Sequence, residues 1–182
     1  DLTIGGPNTT TVKVGETASN TGSMLLTGRN IEVIATGSGD TNLLVSGTGA
    51  QTLQAQDSIF IETVGTGNVN VSSAAGLQTL TTTTALLQPS PSLMVSNEFA
   101  SSGGVFVTTV TGQQVIDVAG GVMVNKGVDA TWAAIHSGGS QTVDAGWIRL
   151  TSSGGSDAAL LFSDANQNIT TTASGPGGWG IA

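Results

Sequence analysis

One short phrase returns along the chain and restricts its fold more than any other feature: Gly49-Ala50-Gln51-Thr52-Leu53, Gly76-Leu77-Gln78-Thr79-Leu80, Gly112-Gln113-Gln114-Val115-Ile116, Gly139-Ser140-Gln141-Thr142-Val143 and Ala165-Asn166-Gln167-Asn168-Ile169. The glutamines are spaced 78 − 51 = 27, 114 − 78 = 36, 141 − 114 = 27 and 167 − 141 = 26 residues, a period of about 27 with one insertion. A fixed period of that length, in a chain full of strand formers, predicts a solenoid whose units bury their apolar faces against one another.

Each unit reads as three short strands. After Gln51 come Thr52-Leu53, then Ser58-Ile59-Phe60-Ile61-Glu62, a Gly65-Thr66-Gly67 turn and Val69-Asn70-Val71. After Gln141 the order repeats with Thr142-Val143-Asp144, Trp147-Ile148-Arg149-Leu150 and Ala158-Ala159-Leu160-Leu161-Phe162. Alternation at period two, bounded by Gly, Ser, Asn and Asp, is the pattern of strands, and no stretch carries a helical period over three turns. The predicted fold is all-β, a parallel β-helix (β-solenoid) of about five three-strand coils, each strand pairing with its counterpart one coil away. Two columns test the alignment. The second residue after each anchor is Leu53, Leu80, Ile116, Val143 and Ile169, and the eighth position or its neighbour is Ile59, Leu86, Val122 and Ile148. Side-chain alternation puts the anchors on the same inward parity as that first column. A buried amide needs partners, so Gln51, Gln78, Gln114, Gln141 and Gln167 are expected to form a hydrogen-bonded ladder along one corner.

The ends depart from the repeat. Residues 1–27 are expected to form a cap or docking arm whose strands carry Leu2, Ile4, Val12 and Val14; residues 28–172 form the solenoid, beginning with a shorter coil, with its insertion near 97–110. Residues 173–182, which include Trp179, read as a Gly-rich tail. Trp132, Trp147 and Trp179 are candidate contact residues, for sugars, for neighbouring subunits or for the inside of the coil. A chain starting at Asp1 with no leader pattern is expected to be a processed secreted chain or an excised domain.

Composition excludes several classes of function. Twelve acidic residues stand against Lys13, Arg29, Lys126 and Arg149, a net charge of −8, so no cationic stripe exists for nucleic acid or anionic lipid. No apolar run approaches the length of a membrane span. Only 9% of residues are charged and 4% aromatic, with 27 Gly and no Cys, a make-up expected of a long-lived structural protein outside the cell.

Catalytic chemistry finds little material. His136 is the one histidine, and no Gly-x-Ser-x-Gly elbow accompanies it, so its expected place is an outward strand position. Asp117 and Asp144 both follow an anchor by three residues and are expected to stack on adjacent coils at about the 5 Å that retaining glycosidases use. They are the leading catalytic candidates; the expected reading is a solvated or cation-bridged acidic pair, in a chain with no Tyr and few cations to orient a sugar. Asp40, in Gly37-Ser38-Gly39-Asp40, and Asp157, in Gly154-Gly155-Ser156-Asp157, faintly resemble Gly-Asp calcium turns, but without tandem nonapeptides they read as turn residues accepting backbone hydrogen bonds. No cofactor or metal is expected.

The Gly-x-Gln-Thr-(Leu/Val) phrase with its Gly-rich turns, over roughly Gly28 to Thr172, resembles the repeats of secreted bacterial β-helix exoproteins and adhesins of the filamentous-haemagglutinin kind. The resemblance implies an extracellular or cell-surface, right-handed parallel β-helix serving in adhesion, matrix or fibre formation. An open β-helix end presents unpaired backbone groups that pair with the next molecule, and such head-to-tail contacts generate filaments. The expected function is a non-enzymatic, self-assembling subunit of an extracellular filament or fibrous surface layer, joined through solenoid ends and strand addition by residues 1–27. The alternatives are an adhesin or glycan-binding segment of a larger exoprotein and a polysaccharide-cleaving β-helix enzyme. The expected partners are other copies of the chain, with surface glycans or matrix second.

Overall fold

A computed structural model describes residues 23–172 apart from 37, 46–47, 85–89, 99, 101 and 155–156. Leu2, Ile4, Val12, Val14, Leu86 and Trp179 lie outside the described residues. Within them every regular element is a strand: β1 (Met24–Ala35), β2 (Thr41–Val45), β3 (Gln51–Thr63), β4 (Val69–Ser73), β5 (Gln78–Thr82), β6 (Leu93–Ser96), β7 (Val105–Thr109), β8 (Gln114–Lys126), β9 (Ala133–Ser137), β10 (Gln141–Ser152), β11 (Ala159–Ser163) and β12 (Gln167–Thr171).

All pairings are parallel, and each joins a strand to its counterpart one coil away. The protein is therefore a parallel β-solenoid. One sheet runs β1-β3-β5-β8-β10-β12, with β6 between β3 and β8, and a second runs β2-β4-β7-β9-β11. The long strands β1, β3, β8 and β10 supply two faces each, with a register shift between Gly28 and Asn30 and another between Ala145 and Trp147 marking the bend. Face 1 holds the residues from the glutamine to the bend, face 2 those from the bend to the strand end, and face 3 is the second sheet.

Stacked apolar columns fill the interior. Leu53, Leu80, Ile116 and Val143 are wholly buried on face 1; Ile59, Leu93 and Val122, then Ile61, Val95 and Val124, line face 2; Val69, Val105 and Ala133, then Val71, Val107 and Ile135, line face 3. Each such Leu, Ile or Val side chain contributes about 1.5–3 kcal/mol relative to exposure. The alternation of buried and exposed residues within each strand is what turns these columns inward.

Two boundaries differ from the sequence expectation. Met24 pairs with Gln51, so the first described coil has the full length of 51 − 24 = 27 residues, and residues 24–27 belong to it rather than to an arm. Most of the extra residues of the third unit also lie ahead of 97–110. From Gln78 to the face 2 rung at Leu93 is 93 − 78 = 15 residues, against 59 − 51 = 8 one coil earlier; from Leu93 to Val105 is 12, against 69 − 59 = 10. Seven of the nine added residues thus separate β5 from β6 and two separate β6 from β7, while Val105-Phe106-Val107 is regular face 3 strand. Leu93 holds the rung expected for Leu86. Glutamine spacing measures an insertion but does not locate it, because apolar triplets on either side are interchangeable in pattern.

Candidate functional site

The glutamines form a continuous, directional ladder. Gln78 Nε2 donates to Gln51 Oε1 at 2.5 Å, Gln114 to Gln78 at 2.6 Å, Gln141 to Gln114 at 2.5 Å and Gln167 to Gln141 at 2.5 Å. The same amides reach across the corner to face 3. Gln51 Nε2 donates to the carbonyls of Leu43 and Ser72, Gln78 to Val71, and Gln114 to Val107 and His136. Gln51, Gln78, Gln114 and Gln141 are almost wholly buried, and Gln167, on the last described rung, is exposed.

Glycine two residues ahead of the anchor follows from the same stacking. A Cβ on Gly76, Gly112 or Gly139 would sit on the carbonyl oxygen of Gly49, Gly76 or Gly112 one coil earlier, far inside contact distance. A hydroxyl column runs beside it, at the ends of β4, β7, β9 and β11. Thr109 Oγ1 donates to Gly112 O at 2.9 Å and meets Ser137 Oγ at 3.0 Å, and Ser163 Oγ donates to Gly139 O at 2.6 Å. These residues were missed in the sequence, although a Ser or Thr stands four or five positions ahead of Gln78, Gln114, Gln141 and Gln167.

The corner between faces 2 and 3 carries a third polar column, also missed: Thr63 and Lys126 at the ends of β3 and β8, Asn97 directly after β6 between them, and Ser152 paired with Lys126. Thr63 Oγ1 donates to Gly67 O, Asn97 Nδ2 to the carbonyls of Gly103, Thr131 and Trp132, and Lys126 Nζ to those of Gly154 at 2.5 Å and Val128 at 3.3 Å. Lys126 is 1% exposed. It lines a groove of about 230 Å³ on face 2, together with Glu98 and Arg149.

Asp117 and Asp144 pair in register on the outer side of face 1, between Thr81 and Thr170, and both are exposed. Neither borders the groove. Asp40 Oδ1 accepts the Asn68 backbone N–H at 2.8 Å and its side-chain amide at 3.2 Å, tying one turn to the next coil. Asp157 is half-buried, and its backbone carbonyl accepts from Ser152 Oγ. Among the described residues no three His, Cys, Asp or Glu gather as a metal site. His136 faces outward on face 3, its ring stacked on Phe162 at 4.2 Å between centroids. Its Nε2 is 3.1 Å from Asp164 Oδ2 but is not aligned to share a hydrogen bond with it. Trp132 is exposed, whereas Trp147 is buried at the bend, its indole over Gly121 where a Cβ would strike the ring.

Among the described residues two carboxylates are perturbed. The hydrogen bond from Arg29 Nε, at 2.6 Å, holds the Asp57 carboxyl below its ordinary range. Burial, then the charge of Glu32, raises Glu62 on the outer side of face 2.

At the last described rungs the core columns are cut across. Positions buried in β4, β5 and β7 are partly exposed in β11 and β12, leaving Ala159, Leu161 and Ile169 half-covered. Among the described residues nothing pairs with the outer edges of β11 and β12 or of β1 and β2. Comparison of the chain with protein-family models, with characterised proteins and with solved structures returned no match.

Proposed function

We propose that this chain is a non-enzymatic structural subunit that stacks end to end through its solenoid ends into an extracellular filament or fibrous surface layer. The observation that carries the reading is the cut core at the last described rungs, where Leu161 and Ile169 are half-covered beside strand edges that pair with no described residue. Covering such an end removes apolar surface from water and supplies backbone partners, the two drives that make open β-edges associate. Head-to-tail contact, the last described rungs of one copy on the first of the next, would continue the parallel coil-on-coil pairing that runs through the described chain. A heterologous contact of this kind propagates without closing. The extracellular placement rests on the cysteine-free, weakly charged composition and on the exoprotein-like repeat.

Sedimentation velocity of Leu161→Asp and Ile169→Asp beside the parent chain tests the reading. The parent is expected to run as large polymers, and each variant, with a charge in the joint, as a monomer of unchanged circular dichroism. Deleting residues 1–20 separates end stacking from strand addition: the same fibres without the arm place the joint at the rungs. A parent chain that stays monomeric at high concentration overturns the proposal.

A further inference from the structure

Glu32, Phe60, Met94, Met123 and Arg149 form one outward column on face 2, in register on five successive rungs with Met94 on the third. Its middle is apolar, three half-buried side chains in line, and its two ends are exposed residues of opposite charge. Four rung spacings set Glu32 about 19 Å from Arg149, too far for the two to neutralise each other within one chain. Arg149 makes no ion pair among the described residues, even with Glu98, which lines the same groove, whereas Arg29 is taken by Asp57. At the acidic end, Glu62 stands one column over from Glu32 and one rung on. Burial and then the Glu32 charge raise its carboxyl, the behaviour of an acidic spot with no cation beside it.

A column of this kind is complementary to itself reversed. We propose that face 2 docks a second copy of this chain, the two related by a two-fold axis that runs along the strand direction at the Met94 rung, between the facing sheets. Such an axis reverses the rung order and keeps each column opposite itself. Glu32 of each copy then meets Arg149 of the other, Phe60 meets Met123, and Met94 meets its own counterpart. In the next column Glu62 meets Asn125 and lies one rung from the same Arg149, while Glu98, past the end of β6, stays at the rim. Face-to-face sheets stand about 10 Å apart, a gap that Phe and Met side chains fill, and a thioether against an aromatic ring is favourable. The other face-to-face arrangement, with the axis along the solenoid, sets Phe60 against Glu62 and Arg149 against Thr151, so it wastes both the apolar stripe and the charges. Five rungs by about five residues make a face of about 24 Å by 16 Å, small beside a standard interface of about 800 Å² per partner. The dimer is therefore expected at high micromolar concentration. It uses neither solenoid end, so it stands or falls separately from end stacking.

The test is sedimentation equilibrium of the full chain carrying Ile169→Asp, which blocks the end joint, from about 10 μM to about 1 mM, with Leu161→Asp as a second background. A monomer at the dilute end and a dimer at the concentrated end are the expected result. Arg149→Glu and Glu32→Arg each set like charges against one another at both ends of the contact and should each weaken it about tenfold or more. An equimolar mixture of those two variants should recover the dimer, because each acidic end again faces a basic one. Glu98→Gln, at the rim, should not weaken it. A chain that stays monomeric to about 1 mM, a dimer indifferent to Arg149→Glu, or a mixture that pairs no better than either variant alone overturns the proposal.

Discussion

Replacing Gln114 by Leu removes the central rung of the glutamine ladder while nearly keeping its volume, so that the loss is one of hydrogen bonding and not of packing. Gln141 Nε2 loses its acceptor, and Gln78 Oε1 loses the donor that reaches it at 2.6 Å. Both groups are buried where water does not replace the partner. An orphaned buried polar group costs about 1–3 kcal/mol, so the two together cost about 2–6 kcal/mol. The assay is urea unfolding followed by circular dichroism, paired with amide hydrogen exchange, because coils of a solenoid can open separately. Protection should fall first in the rungs of Gln78 and Gln141. The double variant Gln114→Leu with Gln141→Leu should cost less than the sum of its parts, since removing both partners of a buried bond leaves fewer orphans than removing one. Thr142→Val, on the outer side of face 1, is the control, with an expected change within about 0.5 kcal/mol. A Gln114→Leu cost under about 1 kcal/mol, with protection unchanged, would refute the reasoning that buried amide bonds hold this corner.

Three further outcomes follow from the same geometry. Gly112→Ala should cost about 1–3 kcal/mol, because its Cβ meets the Gly76 carbonyl of the neighbouring coil, whereas Gly39→Ala, with nothing near its Cβ, should be tolerated; thermal melts compare them. Asp144→Asn relieves like charges paired in register with Asp117 and should stabilise by about 0.2–1 kcal/mol in low salt, with less gained in high salt. Glu62, raised by burial and then by Glu32, binds its proton more tightly folded than unfolded, so stability falls as pH rises from the ordinary glutamate value through the raised one. Glu62→Gln should therefore stabilise the protein at neutral pH and lose that advantage in acid, as melts across pH will register.

The columns that the sequence made legible are those of uniform chemistry. Gln51 to Gln167 and Leu53 to Ile169 repeat one residue type at one offset, and stacking of parallel strands needs nothing more. Thr63, Asn97 and Lys126 share a column too, yet they are a hydroxyl, an amide and an ammonium joined only by where their donors point. Their common role emerges from register alone. Trp147 was legible as a large aromatic but not as a buried one, because the space it fills is made by Gly121, a coil away. Met24 hid the first coil for a related reason: it occupies a glutamine position without glutamine chemistry. The groove was invisible in sequence, since Glu98, Lys126 and Arg149 are brought together from three separate stretches of chain.

Cryo-electron microscopy of the concentrated, purified chain tests end-to-end stacking most directly. The six described rungs of face 1, spaced about 4.7–4.9 Å apart, require a subunit length of at least about 28 Å along the solenoid axis. Polar filaments with strands perpendicular to their axis, a rung spacing in that range and a subunit repeat no shorter than that length are the predicted result. Dispersed single subunits, or fibres whose strands run along the axis, would contradict the account.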